Sequence, residues 1–200
     1  MLTQKTRNKP IAITDIAISK VPRTRIQGFT SEQNARVQEL HKEVLQTAQE
    51  LNQKYHNDEM EAAILLDLFD MNTYWKVEGK KPRRVRMKDN PEANTAMQTW
   101  NTNRFLLMHN HPSTGTFSAK DILTFCNTDS IYILTVIANN GTVYILRKGI
   151  HFDAVAFLNE YGDLIEQIGD CPNNATQAVK KLLKYAYKYD LYYKKGAARI

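Results

Sequence analysis

Hydrophobic residues recur along the chain with two different spacings, which predict a mixture of helices and strands. A helix is predicted to start at a cap formed by Thr30 or Ser31 and to run to about Gln53, because apolar residues return there every three or four positions, as they do on one face of a helix. Two short and uninterrupted apolar runs, at residues 62–66 and 105–108, are instead typical of buried strands. A further strand is predicted at residues 72–77.

Turn and cap residues divide the second half of the chain. Asn90 and Pro91 have the order of a helix start, and that helix should run to about Trp100 or Asn101. A later helix should begin after Ser118 and end near residue 127.

An Asn-Gly turn at residues 139–141 separates the apolar runs 131–137 and 142–147, which predicts a β-hairpin. The order strand, helix, strand, helix, hairpin is that of an α/β protein with helices packed on a sheet.

The ends of the chain and one internal segment are less clearly patterned. Residues 11–18 suit either a short strand or an extended arm. Residues 80–88 suit either a strand edge or a loop. Residues 151–168 and 174–193 predict two C-terminal helices.

Composition narrows the class of protein. The chain of 200 residues is 42% hydrophobic and 24% charged, which is typical of one globular domain. No apolar run approaches the roughly 20 residues of a membrane span, and no signal peptide is visible. Two cysteines are too few for a disulfide scaffold, so we expect a cytoplasmic protein with Cys126 as a small core residue.

Candidate chemistry begins directly after the apolar run at residues 105–108. Residues two apart on a strand point to the same face, so His109 and His111 should project together and Asn110 the other way. Pro112 should end the strand.

A carboxylate can join these two imidazoles from the next helix. Ser118 and Asp121 have the spacing of a helix N-cap and the residue three positions later, which places Asp121 on the first helical turn. Two imidazoles and one carboxylate form the ligand set of a catalytic zinc site, which keeps a fourth position open. We therefore expect Zn²⁺ as cofactor, held by His109, His111 and Asp121.

This combination resembles the JAMM motif of the MPN+ (Jab/MPN) metalloenzymes, in which a glutamate precedes His-x-His-Pro and Ser-x-x-Asp. The segments His-Asn-His-Pro-Ser and Phe-Ser-x-x-Asp-Ile are similar to those of the RadC-like and phage-associated branch. Nine residues lie between His111 and Asp121, where the superfamily usually has ten.

The resemblance covers roughly residues 56–150 and implies a cytidine-deaminase-like JAMM fold, a mixed sheet with helices packed on it. The chain would then be a single domain, with an N-terminal arm and helix at 1–55, the JAMM catalytic core at 56–150 and a C-terminal helical extension at 151–200.

The resemblance also implies a zinc-dependent metallopeptidase or isopeptidase, whose zinc-activated water hydrolyses a peptide or isopeptide bond. Its general base would be a glutamate just before the first strand. Glu61 has the spacing of several family members and is preferred, whereas RadC-type spacing favours Glu59. Both would face the same way on an extended segment, so Glu59 remains the alternative base. By the same resemblance, the Ser118 hydroxyl would hydrogen-bond the developing oxyanion.

Positive charge is unevenly distributed in a chain of net charge +6. Six of the nine residues 80–88 are basic, and we expect Arg83, Arg84 and Arg86 to dock an acidic surface of a protein or peptide substrate, such as a ubiquitin-like protein. Nucleic acid is the less favoured partner, and nothing indicates a membrane. The alternative function is that of a RadC-like accessory protein of a phage or mobile element, which binds DNA or protein and whose metal site is non-catalytic. Nuclease activity at the same metal is a third and weaker alternative.

Overall fold

Six strands form one mixed sheet in the computed structural model of the chain, which describes residues 9–100, 102–169 and 172–196. The strand order is β2-β1-β3-β4-β5-β6, and only β3 and β4 are parallel. The strands are β1 (Ala62–Asp67), β2 (Tyr74–Glu78), β3 (Phe105–His111), β4 (Ile131–Ala138), β5 (Val143–Lys148) and β6 (Leu191–Gly196). The chain is therefore an α/β protein, as its pattern predicts.

Helices cover both faces of this sheet. They are α1 (Asp15–Ser19), α2 (Ser31–Tyr55), α3 (Pro91–Thr99), α4 (Ala119–Cys126), α5 (Ala154–Ile168) and α6 (Pro172–Lys184). Alternate residues of β3 face opposite sides: Leu106 and Met108 pack under α1 and α2, whereas Phe105 and Leu107 pack under the other four helices. None of the helices in the described part of the chain combines the length and the apolar character needed to cross a bilayer.

Local cap and turn chemistry confirms several sequence-based predictions. Thr30 caps α2 with a reciprocal bond to Gln33, and the Asn90 side chain caps α3 with Pro91 at its first position. The predicted hairpin is formed by β4 and β5, and Gly141 has a φ of 86°, which an L side chain rarely adopts. Cys126 is buried at the end of α4.

Three predictions about the less patterned segments are wrong or refined. Residues 15–19 form the short helix α1, capped by Thr14, rather than a strand. The basic segment is a turn with an isolated bridge between Lys81 and Arg84, followed by a 3₁₀ turn at Met87–Asp89.

The predicted helix 174–193 is also wrong in its second half. Helix α6 ends at Lys184, a 3₁₀ turn follows, and Asp190 takes a left-handed conformation with a φ of 52°. Leu191 then begins β6, which pairs with β5 and extends the sheet into the segment predicted to be only helical. Leucine and tyrosine at short spacing suit either structure, and pairing with β5 decides for the strand.

His41 is completely buried, whereas we would expect a lone histidine on α2 to be exposed. It lies four residues from both Val37 and Leu45 on the face that packs on the sheet, and its Nε2 is 2.9 Å from the Thr135 hydroxyl. Burial lowers the pKa of His41 to about 3, so the ring is neutral at neutral pH.

Candidate metal centre

Two histidines and an aspartate converge where β3 ends and α4 begins. The Nε2 atoms of His109 and His111 lie 3.1 Å apart. His109 Nε2 is 3.2 Å from one carboxylate oxygen of Asp121, and His111 Nε2 is 3.2 Å from the other. Among the described residues these three are the group whose ligand atoms, all within 4.8 Å of one another, could hold a metal ion.

These separations allow one metal ion to bind all three side chains, and a tetrahedral zinc ion provides a reference for them. Ligand bonds of about 2.0–2.1 Å in a tetrahedron place neighbouring ligand atoms roughly 3.3 Å apart. The two Nε2 atoms, at 3.1 Å, lie close to that value, and each imidazole lies 3.2 Å from a different oxygen of the Asp121 carboxylate. One cation at the centre of these atoms would satisfy all three groups at once, whereas a proton shared between two of them leaves the third unsatisfied. Imidazole and carboxylate ligands also suit zinc chemically.

Ser118 fixes the orientation of the Asp121 carboxylate. The Ser118 backbone N–H and its hydroxyl each donate to Asp121 Oδ2 at 2.7 Å, and Ser118 Oγ accepts from the Asp121 N–H at 3.2 Å. This is a capping box, so the same contacts start α4 and aim the carboxylate at the two imidazoles. The predicted helix start is confirmed, and the hydroxyl hydrogen of Ser118 points to Asp121.

The Asp121 carboxylate and the imidazoles beside it act on each other electrostatically. Burial alone would raise the pKa of Asp121, but the charge and hydrogen bonds of the two imidazoles hold that pKa well below its ordinary value. Burial would lower the pKa of His111, but the Asp121 carboxylate raises it above its ordinary value. Metal ligands must be deprotonated, so a proton and a metal cation would compete for these side chains.

Glu61 lies in the same recess as the triad. Its side chain lines a cavity of about 460 Å³ together with His109, His111 and Asp121, which we call the recess. The residue is only 8% exposed. Burial raises the pKa of the Glu61 carboxyl, although His111 and His109 act in the opposite direction. A carboxyl with a raised pKa beside a candidate metal site has the properties of a proton-transfer group.

The backbone around Glu61 is held by Asn110, a role that the sequence did not reveal. Asn110 Oδ1 accepts from the Ala62 N–H at 2.7 Å, and Asn110 Nδ2 donates to the Met60 carbonyl at 3.3 Å. The two peptide groups that flank Glu61 therefore bond to one side-chain amide. Asn110 is fully buried and faces away from its histidine neighbours, as the strand alternation predicts.

Asn139 in turn holds Asn110. Asn139 Oδ1 accepts from Asn110 Nδ2 at 3.0 Å, its own Nδ2 donates to the Ile11 carbonyl at 2.8 Å, and its backbone N–H donates to the His111 carbonyl at 3.1 Å. The Ile11 N–H donates to the Pro112 carbonyl at 2.7 Å. The only sequence signal for this network is an asparagine at a core-facing strand position, because a buried amide needs partners.

Glu59, the alternative base, lies elsewhere. Its carboxylate accepts from Arg83 Nε at 2.7 Å in a salt bridge, and it is not among the residues that line the recess. The two glutamates therefore do not share one environment, although an extended segment would point both the same way. His56 ends α2, and His151 is exposed, so neither of them joins the triad.

The basic segment borders the recess. Arg83, Arg84 and Arg86 all line it. Two of the three are engaged in ion pairs within the protein: Arg83 with Glu59, and Arg86 with Asp89 at 3.1 Å.

Comparison of the chain with protein-family models, with curated proteins and with solved structures finds no match. The function must therefore be inferred from the residues at this centre.

Proposed function

We propose that this chain is a JAMM-type zinc metallopeptidase or isopeptidase, with the cytidine-deaminase-like fold that such enzymes have. The observation that carries the proposal is the convergence of His109, His111 and Asp121 at distances that suit zinc, with the buried Glu61 in the same recess. The sequence resemblance and the geometry of the site both support it. A hydrolase working inside a cell fits the cysteine content, and we propose a cytoplasmic location on that basis.

The three ligands and Glu61 have separate tasks in this proposal. Zinc held by His109, His111 and Asp121 would polarise the scissile carbonyl and lower the pKa of a water toward neutrality. Glu61 takes a proton from the attacking water on its carboxylate and delivers it to the nitrogen of the leaving amine. Burial suits Glu61 to both steps, since its raised pKa brings proton uptake and release closer to neutral pH.

Ser118 orients Asp121, and in this proposal its hydroxyl also hydrogen-bonds the oxyanion that develops on the scissile carbonyl. Its hydroxyl donates to Asp121 Oδ2 at 2.7 Å, so a hydrogen bond to a developing oxyanion requires the hydroxyl to rotate away from that oxygen. The Ser118 backbone N–H bonds to the same oxygen and would keep the carboxylate in place during this rotation.

The decisive experiment measures metal content and hydrolysis on untagged protein. We expect about one zinc per chain, and release of product from peptides or from isopeptide-linked ubiquitin-like dimers. His109→Ala and Asp121→Ala should lose the metal, because each removes a ligand. Glu61→Gln should keep the metal and lose activity, whereas the matched variant Glu59→Gln should keep both.

Two results would redirect the assignment. Protein that takes up no zinc on titration would contradict the catalytic proposal. Zinc-loaded protein that cleaves no peptide or isopeptide bond but binds duplex DNA with a steep salt dependence would support the alternative, a RadC-like accessory protein with a non-catalytic site. The basic segment beside the recess is the feature that favours this second candidate.

A further inference from the structure

The recess continues beyond the triad over an apolar floor. Leu107 lies two residues before His109 on the same face of β3, and the strand register places Ala63 opposite His109 and Leu134 opposite Leu107. Ala63, Leu107 and Leu134 all line the recess. A group bound at the triad would therefore have an apolar surface directly beside it.

Two methionines form walls above this floor. Met87 lies in the 3₁₀ turn and Met97 on α3, and both are half-buried and line the recess. Methionine is unbranched and adapts its shape to the group it contacts. A volume of about 460 Å³ lies in the lower part of the range of ligand sites, roughly 300–1,000 Å³. After the reacting groups are placed, this leaves room for one apolar side chain.

The rim of the recess is positively charged. Arg84, Lys88 and Lys120 line it, and all three are exposed. Within the described residues, none of these three cations lies within 4.0 Å of a carboxylate. Arg83 and Arg86 differ in this respect, so among the three arginines that the sequence selects it is Arg84 whose charge is available to a substrate.

We propose that the recess is a specificity pocket for an apolar side chain next to the scissile bond, and that the rim selects acidic residues close to it in the peptide. The substrate class is then a polypeptide with leucine, methionine or phenylalanine followed or preceded by aspartate or glutamate. This proposal rests on the proposed peptidase function. A glycine-ended tail would leave the apolar floor uncovered and the rim cations unused.

Cleavage of a peptide library by the zinc-loaded protein tests the preference directly. The cut sites, read by mass spectrometry, should be enriched in large apolar residues beside the bond and in acidic residues nearby. Replacing leucine by glycine in one peptide should lower kcat/KM about 10–100-fold, the effect of burying a leucine-sized side chain. Cut sites with glycine favoured and no apolar enrichment would overturn the proposal.

Two tryptophan variants locate the preference on the protein. Met97→Trp should fill the recess and remove the discrimination between the leucine and glycine peptides. Gln98→Trp places the same side chain on the adjacent, exposed position of α3, outside the recess, and should leave the discrimination intact. Equal discrimination by both variants would contradict the assignment, and Met87→Trp repeats the test if Met97→Trp does not fold.

A binding measurement separates failure of this proposal from failure of the proposed function. The probes are two fluorescein-labelled heptapeptides, one with a leucine followed by two aspartates and one with glycine in place of leucine. Metal-free protein should bind the leucine peptide at least 10-fold more tightly in fluorescence anisotropy. Discrimination without hydrolysis under zinc would refute the peptidase but keep the pocket, and hydrolysis with equal affinities would refute the pocket but keep the peptidase.

The charge part of the proposal has its own control. Arg84→Glu should weaken binding of the leucine peptide several-fold at low salt, and the difference should shrink at high salt as the charges are screened. Lys180→Glu changes the net charge equally at an exposed position of α6 that does not line the recess. An equal effect of both variants would show that general charge, and not the rim, attracts the peptide.

Discussion

Replacing Asn110 by leucine, which has the same branching and the same number of side-chain heavy atoms, should destabilise the protein strongly. The substitution removes the amide that accepts from the Ala62 N–H, donates to the Met60 carbonyl and donates to Asn139 Oδ1. Asn110 is fully buried, so water cannot replace the lost partner. Three polar groups are left without that partner in the interior.

The expected loss in the free energy of unfolding follows from the cost of each polar group that is left without a partner. A buried donor or acceptor without a partner costs about 1–3 kcal/mol. The Ala62 N–H has the shortest of the three bonds, 2.7 Å, whereas the Met60 contact is long at 3.3 Å and contributes least. We therefore expect a loss of about 3–6 kcal/mol, a large part of the roughly 5–15 kcal/mol that stabilises a typical domain.

Urea unfolding followed by tryptophan fluorescence measures this loss. Met108→Leu is the matched control, because Met108 is equally buried on the same face of β3 and the exchange conserves volume. It should cost less than about 1.5 kcal/mol. The double variant with Asn139→Leu should lose less than the sum of the two single variants, since the two amides share one bond. A loss below about 1 kcal/mol for Asn110→Leu, or strict additivity with Asn139→Leu, would refute the reasoning.

Three further outcomes are expected. Gly79→Ala should destabilise the protein by about 1–3 kcal/mol and lower kcat with zinc retained, because a Cβ there would lie 2.5 Å from the Glu61 carbonyl oxygen. The control Gly162→Ala has open space around it and should be neutral or stabilising in the same unfolding assay. His41 takes up a proton more readily in the unfolded state than in the folded state, so its contribution to the free energy of unfolding is complete above about pH 6.5 and is lost as the pH falls toward 3. The stability difference between the wild type and His41→Gln should therefore shrink by about 2 kcal/mol from pH 7 to pH 5. A difference that does not change with pH would contradict this. Ser118→Ala should weaken zinc affinity about 10–100-fold in a chelator competition, while Ser118→Thr should keep most of it.

Local signals predicted the parts of the structure that local interactions decide. Caps such as Thr30 and Ser118 and the turn before Thr142 depend on residues a few positions apart, and these predictions are confirmed. The positions of His109 and His111 on one face likewise follow from the two-residue period of a strand.

Long-range partners could not be predicted in the same way. The network that holds Glu61 joins Asn110 to Asn139 and to Ile11, residues that are 29 and 99 positions away from it along the chain. The different surroundings of Glu59 and Glu61 depend on where β1 begins and on a salt bridge to Arg83, neither of which has a periodic signal. Strand β6 could not be predicted locally, because its residues take the strand conformation by pairing with the edge of β5.

The two outer strands of the sheet bear on how the protein behaves at high concentration. An edge strand presents unpaired backbone groups, which invite pairing with a second chain. Lysine is exposed on both edges, at Lys76 on β2 and at Lys194 and Lys195 on β6. Pairing along β6 would bring the ammonium groups of Lys194 and Lys195 close to those of a second chain. Pairing along β2 would disturb Lys76, whose ammonium pairs with Glu43 at 2.8 Å. The sheet that carries the candidate metal centre therefore has lysine charges on both edges that oppose its growth into aggregates.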